Sequence, residues 1–322
     1  MKSPFEIYPL ATHQNFDEEA YLLANQDVKI ALKNGDIESG LAHFNIFGVK
    51  ENRKLDISKQ KEFQQLKVNK KNKIKSCLRH DMSYIETDDF YDFLTVDLRD
   101  AFSIIDTTAV SSNNYDNAFM NVINSNELVL DCGAGSRQYY YDNVINFEIA
   151  KYPSTDVLGV GEVLPFKDAT FDAVLSNAVL EHVKDPWLCA DEILRVLKPG
   201  GELICCVPFL QPLHGYPHHY YNMSAQGLKN LFGNNISVVE HNIPNSTLPI
   251  WSLNWILNSW SAGLNGDTKN NFLQMKVCDL IANPLQYLEQ KFVTELSNEK
   301  NFELASATLL KAKKIQTNIT KY

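Results

Sequence analysis

Two glycines directly behind a short apolar run form the part of the sequence best suited to binding a nucleotide-like ligand. Residues 128–135 read Leu-Val-Leu-Asp-Cys-Gly-Ala-Gly, so Asp131 is followed by Gly133 and Gly135. Such a run predicts a buried parallel strand that enters a tight turn. Glycines two residues apart let the backbone bend sharply and approach a ligand closely. The acid inside the turn would repel phosphates, and it favours a ligand that carries a cation and a ribose.

The residues after the turn argue against a dinucleotide. Dinucleotide-binding turns place a third glycine three residues after the second, whereas this chain has Gln138 at that position. The bulky segment 136–139 would also keep a helix from packing closely over a pyrophosphate. The turn therefore favours S-adenosylmethionine as the cofactor, and an NAD-dependent oxidoreductase is the least favoured of the functions considered.

Further motifs follow the glycine turn in a fixed order. Residues 144–148 predict a second strand that ends in Glu148, an acid placed to accept both hydroxyls of a ribose. Downstream the chain reads Gly-Glu-Val-Leu-Pro-Phe at 161–166, Phe-Asp-Ala-Val at 171–174, Leu-Glu-His-Val at 180–183 and Leu-Lys-Pro-Gly-Gly at 197–201. This succession resembles the class I S-adenosylmethionine-dependent methyltransferases, especially their small-molecule branch.

The resemblance implies both a fold and a set of cofactor-binding residues. The fold is an α/β, Rossmann-like sheet of seven mostly parallel strands with flanking helices, in which the last strand is antiparallel. The family often has Asp where Glu162 stands, and the longer acid would shift the adenine contact. The implied contacts are Asp131, Gly133 and Gly135 at the methionine and sulfonium end, Glu148 at the ribose, Glu162 and the Val163 backbone at the adenine, and Asn177 near the methyl group.

A loop rich in histidine and tyrosine follows the fifth strand, where open α/β sheets place their ligand crevice. Imidazole titrates near neutrality, so a histidine could take a proton from a sugar hydroxyl, and the tyrosine rings could stack on a sugar or nucleotide. Alternatively, the histidines orient the loop and the tyrosines are packing residues. No metal is expected, because the loop contains no cysteine or carboxylate. The catalytic candidates are His214 and His219, with Pro217 stiffening the loop between them, and His182; the substrate-binding candidates are Tyr216, His218, Tyr220 and Tyr221.

The composition narrows the classes of partner and compartment. With 322 residues, of which 44% are hydrophobic, the chain can build a sizeable core, and its net charge of −9 argues against nucleic acid as a partner. The N-terminus lacks the apolar stretch of a secretory signal, and no window approaches the roughly 18–20 apolar residues of a membrane span. Six cysteines without a pairing pattern indicate small core residues in a reducing cytoplasm.

The pattern along the chain predicts three segments: a helical module at 1–57, a basic linker at 58–81 and a methyltransferase domain at 82–322. Residues 16–57 resemble a short helical module found beside glycosyltransferases and other surface-polysaccharide proteins. The lysine-rich linker predicts a solvated helix. Within the domain, strands are expected at 236–240 and, as the last strand of the sheet, at 303–313, with inserted helices at 249–296.

Two functions of different classes remain open. The first is a methyltransferase that O-methylates a sugar or glycan precursor in polysaccharide biosynthesis, with a small-molecule or glycan acceptor. The second is a catalytically idle cofactor-fold protein that docks in a glycan-assembly complex, with residues 16–57 contacting a protein partner. The residues Asp131, Gly133, Gly135 and Glu148 favour the first, since an idle copy has no need of them.

Overall fold

Two compact units make up the chain. The computed structural model describes residues 3–104, 114–215 and 218–313. One unit comprises Met1–Phe209 and Gly215–Ser237, and it holds the sheets and the helices up to residue 237. The other comprises Leu210–His214 and Val238–Tyr322, and its regular structure is helical within the described residues.

A seven-stranded, mostly parallel sheet is the centre of the first unit, as expected for a Rossmann-like methyltransferase fold. The strands of the described residues are β1 (Phe5–Glu6), β2 (Ile85–Glu86), β3 (Tyr91–Asp92), β4 (Val129–Cys132), β5 (Tyr139–Tyr140), β6 (Val144–Glu148), β7 (Val157–Leu158), β8 (Phe171–Asn177) and β9 (Leu197–Cys206). The order of strands in the sheet is β2-β3-β7-β6-β4-β8-β9, and every neighbouring pair is parallel except β2 with β3. A separate antiparallel pair joins β1 to β5.

Successive residues of the central strands face opposite sides of the sheet, as the period of a strand requires. Leu130 and Val174 pack into one apolar cluster, whereas Val129 and Ala173 pack into a second cluster. The adjacent cysteines follow the same rule, because Cys205 packs against the first cluster and Cys206 against the second. All six cysteines are free thiols.

The position of the antiparallel strand is a correction to the sequence-based expectation. It is β2, at the edge of the sheet and early in the chain, and not the last strand. Residues 236–240 form no strand, and helical residues Asn298–Leu304 with an irregular stretch to 313 stand where a final strand was expected. A pattern of apolar residues is not enough to form a strand, because a strand also needs a neighbouring strand whose backbone groups it can hydrogen-bond.

Helices cover the sheet of the first unit and form its N-terminal module. Asp17 caps α1 (Glu18–Ala24), because its side chain accepts a hydrogen bond from the Ala20 amide at 2.8 Å. Gly35 ends α2 in the left-handed conformation that favours glycine. The helices are α1 (Glu18–Ala24), α2 (Gln26–Asn34), α3 (Gly40–His43) continued by a π-helical turn (Phe44–Gly48), α4 (Lys61–Ile74), α5 (Val96–Ala101), α6 (Asn117–Ser125), α7 (Pro186–Val196) and α8 (Ala225–Phe232).

The basic helix α4 is not solvated along its whole length, contrary to the expectation for a linker. Lys67 and Lys70 are each only 1% exposed. Their ammonium groups lie 3.4 Å and 2.6 Å from the carboxylate oxygens of the buried Asp156. Tyr140 donates a 2.5 Å hydrogen bond to the same carboxylate. Two of the lysines therefore attach α4 to the sheet instead of facing water.

Short helices build the second unit around a small apolar cluster of Leu264, Phe272 and Leu296. Helices inserted after residue 249 were predicted, and they are present. Across the described ranges of both units, the chain has no helix long and apolar enough to cross a membrane. The helices are α9 (Pro249–Ala262), α10 (Gly266–Leu273), α11 (Val277–Leu280), α12 (Lys291–Thr294) and α13 (Asn298–Leu304).

Candidate active site

Three predicted cofactor residues lie at one edge of the sheet. Asp131 lies near the end of β4, Glu148 ends β6 and Asn177 ends β8. These strands are neighbours and parallel, so their carboxyl ends meet at the same edge. This edge is where open α/β sheets bind their ligands.

The turn after β4 is held against the end of β6. The Gly133 and Ala134 amides both donate to the Phe147 carbonyl, at 2.9 Å and 3.0 Å. Gly133 has φ +88°, and a Cβ added there would lie 2.4 Å from a methyl group of Val179. Glycine is therefore required at this position both by the backbone angle and by the space available.

Glu148 is part of the turn's framework as well as a candidate ligand. One carboxylate oxygen accepts a 2.6 Å hydrogen bond from the Gly135 amide, and the other accepts one of 2.7 Å from the Ile149 amide. The residue is 4% exposed, and burial raises the pKa of its carboxyl above the ordinary value. Each carboxylate oxygen has a further lone pair, so the group can still accept ribose hydroxyls.

Asp131 is fully buried, and its negative charge is balanced by Arg137, which was not among the predicted site residues. Arg137 donates to Asp131 Oδ2 through Nε at 2.9 Å and through Nη2 at 2.6 Å, and the Tyr115 hydroxyl donates to the same oxygen. The other oxygen, Oδ1, has no hydrogen-bond partner among the described residues. The negative charge of Asp131 is therefore compensated by Arg137. Arg137 lies in the bulky segment 136–139, and no sequence motif signals its pairing with Asp131.

Glu162 and Val163 are both engaged in local structure. Glu162 Oε1 accepts from the Lys184 and Asp185 amides at 3.1 Å and 3.3 Å, which connects this acid to the segment that precedes α7. Burial raises the pKa of the Glu162 carboxyl. The Val163 amide donates to the Val160 carbonyl at 3.1 Å. Because the Val163 amide is already bonded, an adenine contact by this residue would involve the Val163 carbonyl.

His182 lies beside a fully buried acid. Its Nδ1 donates to the His218 carbonyl at 2.7 Å, so in the neutral ring Nε2 carries the lone pair. Glu181 Oε1 lies 3.7 Å from that Nε2. Burial raises the pKa of the Glu181 carboxyl to about 8. No role was predicted for Glu181, although it stands in the Leu-Glu-His-Val motif, where its place next to a candidate base could have signalled one.

The histidine and tyrosine loop is attached to the same segment. The Glu181 carbonyl accepts from the Tyr220 and Tyr221 amides at 2.7 Å and 3.2 Å. His219 lies with its ring centre 5.4 Å from that of His182. The structure thus brings together four of the predicted residues around Glu181: His182, His219, Tyr220 and Tyr221.

The side chains of the remaining loop candidates have hydrogen-bond and ring contacts of their own. His218 Nε2 donates to the Ser103 carbonyl at 3.0 Å, and His219 Nε2 lies 2.8 Å from Asn222 Oδ1. His214 belongs to the second unit, where its Nδ1 donates to the Pro212 carbonyl at 2.9 Å and its ring centre lies 5.0 Å from that of Trp255. Tyr216 and Pro217 lie outside the described residues.

Part of the first unit is similar to known methyltransferases. Residues 130–205 match the family model described as a methyltransferase domain. A demethylmenaquinone methyltransferase of Clavibacter sepedonicus is 37% identical over 103 residues, which are 30% of this chain and 40% of that protein. An uncharacterized methyltransferase of Schizosaccharomyces pombe is 40% identical over 75 residues, 22% of this chain and 27% of that protein. The match therefore spans less than half the length of these relatives.

Solved structures add little to this identification. A SAM-dependent methyltransferase from Thermotoga maritima is 24% identical and aligns with 34% of this chain and 62% of its own. The TM-score between the two structures is 0.28. The family model covers the segment from β4 to β9.

Proposed function

We propose that this chain, whose central segment is a class I S-adenosylmethionine-dependent methyltransferase domain, transfers the methyl group of that cofactor to a hydroxyl of a sugar or glycan precursor. We further propose that this reaction belongs to polysaccharide biosynthesis.

The buried Oδ1 of Asp131 is the observation that carries the cofactor proposal. A buried polar atom without a partner costs about 1–3 kcal/mol, so it is expected to meet a donor when the protein works. The α-ammonium group of S-adenosylmethionine is such a donor. Glu148, at the neighbouring strand end, retains the acceptor capacity that two ribose hydroxyls need.

The cofactor supplies an electrophilic methyl group on a sulfonium, and the protein must bring the acceptor into line with it. Asn177, at the end of β8, is proposed to border the methyl position. His182 is proposed to accept the proton that the acceptor hydroxyl loses, because its Nδ1 is bound to a carbonyl and its Nε2 carries the lone pair. Its ring orientation is set before any acceptor arrives, since the His218 carbonyl belongs to the protein.

Aromatic side chains beside His182 support a sugar as the acceptor. Tyr221 lies edge-on to Trp187, with ring centres 5.7 Å apart, and Trp187 is 52% exposed. Tyr220 is 39% exposed. Exposed aromatic faces next to a hydrogen-bonding group suit a ligand with one apolar face and a polar edge. The N-terminal module is proposed as a contact for a protein partner, on the basis of its sequence resemblance alone.

Calorimetry with S-adenosylmethionine and S-adenosylhomocysteine tests the cofactor, and incubation with methyl-labelled cofactor and a panel of nucleotide sugars tests the acceptor. Saturable binding followed by a mass increase of one methyl group on a sugar is expected. Binding without transfer to any hydroxyl acceptor would leave the sugar proposal without support and favour an idle docking protein. Absence of binding would refute the proposed function.

A further inference from the structure

Arg137 is a buried, positively charged residue two positions after Gly135 of the glycine turn. Its side chain is 5% exposed, and its guanidinium carbon lies 4.1 Å from the centre of the Tyr115 ring. Its amide donates to Ser154 Oγ at 3.0 Å. With the two bonds to Asp131, these contacts hold the guanidinium at the carboxyl end of β4.

Arg137 and Asp131 together present one positive and one negative group to whatever binds at the turn. Their charges cancel, so the site does not select a net cation. A zwitterion with an ammonium and a carboxylate on the same carbon is the ligand part that complements such a pair. The methionine part of S-adenosylmethionine is a zwitterion of this kind.

We infer that Arg137 binds the α-carboxylate of the methionine part of S-adenosylmethionine, while Asp131 Oδ1 accepts a hydrogen bond from the α-ammonium. A guanidinium has five N–H donors, so it can donate to two carboxylates at once. The planar donor fork also matches a carboxylate in a way that lysine does not. This inference rests on the proposed function and adds to it a cofactor-binding residue and the reason for its charge.

Two ligands that differ only in the amino-acid part test the inference in the full chain. S-adenosylhomocysteine carries the α-carboxylate and α-ammonium, whereas 5′-methylthioadenosine lacks both. In calorimetry the wild type is expected to bind S-adenosylhomocysteine more tightly. Arg137→Met should weaken that binding by roughly 10- to 100-fold, which is the value of a charge-assisted hydrogen bond. Its affinity for 5′-methylthioadenosine should change by less than about threefold, which is below 1 kcal/mol.

Two further variants control for unfolding. Arg137→Lys keeps the positive charge beside Asp131. The double variant Asp131→Asn/Arg137→Met removes both charges, so it leaves no buried charge without a partner. The lysine variant should bind S-adenosylhomocysteine with intermediate affinity, and the double variant should lose the preference for it. Equal losses for both ligands would overturn the inference and leave Arg137 as a support of the turn, as would a wild type that binds both ligands equally. A wild type that binds neither ligand would refute the proposed function, and this inference with it.

Discussion

The Glu148 carboxylate accepts a 2.6 Å hydrogen bond from the Gly135 amide. This bond joins the end of β6 to the glycine turn that follows β4, and the Ile149 amide donates to the other oxygen of the same group. A residue expected to serve only the ribose therefore also shapes the turn that would receive the methionine part. Removing it should affect stability and binding together.

Glu148→Ala is expected to lower the free energy of unfolding as well as cofactor affinity. The substitution leaves the Gly135 and Ile149 amides without their acceptor, at a cost of roughly 1–3 kcal/mol for buried groups. Cofactor affinity should fall by roughly 1.5–3 kcal/mol from the loss of a charged acceptor. Urea melts and calorimetry with S-adenosylhomocysteine measure the two effects. Glu148→Gln keeps one acceptor oxygen, so a glutamine variant as unstable as the alanine variant would contradict this account.

Ionisation of Glu181 should make the fold less stable as pH rises. Burial raises the pKa of this carboxyl from 4.5 to about 8, so between these values the unfolded chain has lost a proton that the folded chain keeps. Stability contributed by this group therefore falls across that window and levels off above it. Glu181→Gln cannot ionise, and its unfolding free energy relative to the wild type should increase from pH 4.5 to about 8.

Denaturant melts of both proteins across the pH range make that comparison. Glu202→Gln is the matched control, because Glu202 is an exposed glutamate that accepts a 2.8 Å hydrogen bond from Asn126. A difference between wild type and Glu181→Gln that stays constant with pH would show that the carboxyl titrates at its ordinary value.

His182→Asn should lower turnover far more than cofactor affinity. If this imidazole takes the acceptor's proton, its removal is expected to cost about 10² to 10⁴ in rate. Steady-state kinetics on the acceptor found with labelled cofactor, together with calorimetry, separate the two effects. His241→Asn, at an exposed position of the second unit, is the control. Full turnover in His182→Asn together with a large loss of turnover in His219→Asn or His214→Asn would show that the general base is a loop histidine and not His182.

Lys70→Met should destabilise the first unit. Lys70 forms a buried ion pair of 2.6 Å with Asp156, and its ammonium lies 3.9 Å from the centre of the Tyr140 ring. Breaking a buried pair leaves an uncompensated charge, and with Lys67 still 3.4 Å from Asp156 we expect a loss on the order of 2–4 kcal/mol.

Thermal and urea unfolding check this expectation against Lys61→Met, an exposed lysine at the start of the same helix. Equal stability of the two variants would mean that the buried lysine of α4 contributes no more to the free energy of unfolding than an exposed lysine does. A chain shortened to begin after residue 81 should be destabilised further, because it loses both lysines that face Asp156.

Much of the central segment could be predicted because its signals are local. A buried strand that ends in a glycine turn, as at 128–135, depends on residues that are neighbours in the chain, and the structure confirms β4, β6, β8 and β9. The alternation that sends Cys205 and Cys206 to opposite faces is equally local. The edge strand β2, by contrast, has two residues and pairs with β3. So short a strand has no pattern of its own to detect.

The sequence by itself thus determined the methyltransferase sheet, its glycine turn and the acids at its strand ends, because strand period and turn chemistry act between adjacent residues. Only the tertiary structure decided which charges meet: Arg137 with Asp131, and two lysines of α4 with Asp156. Burial selects these partners, because a buried charge is stable only beside an opposite charge. The two residues must be close in space, but they can be far apart in the chain.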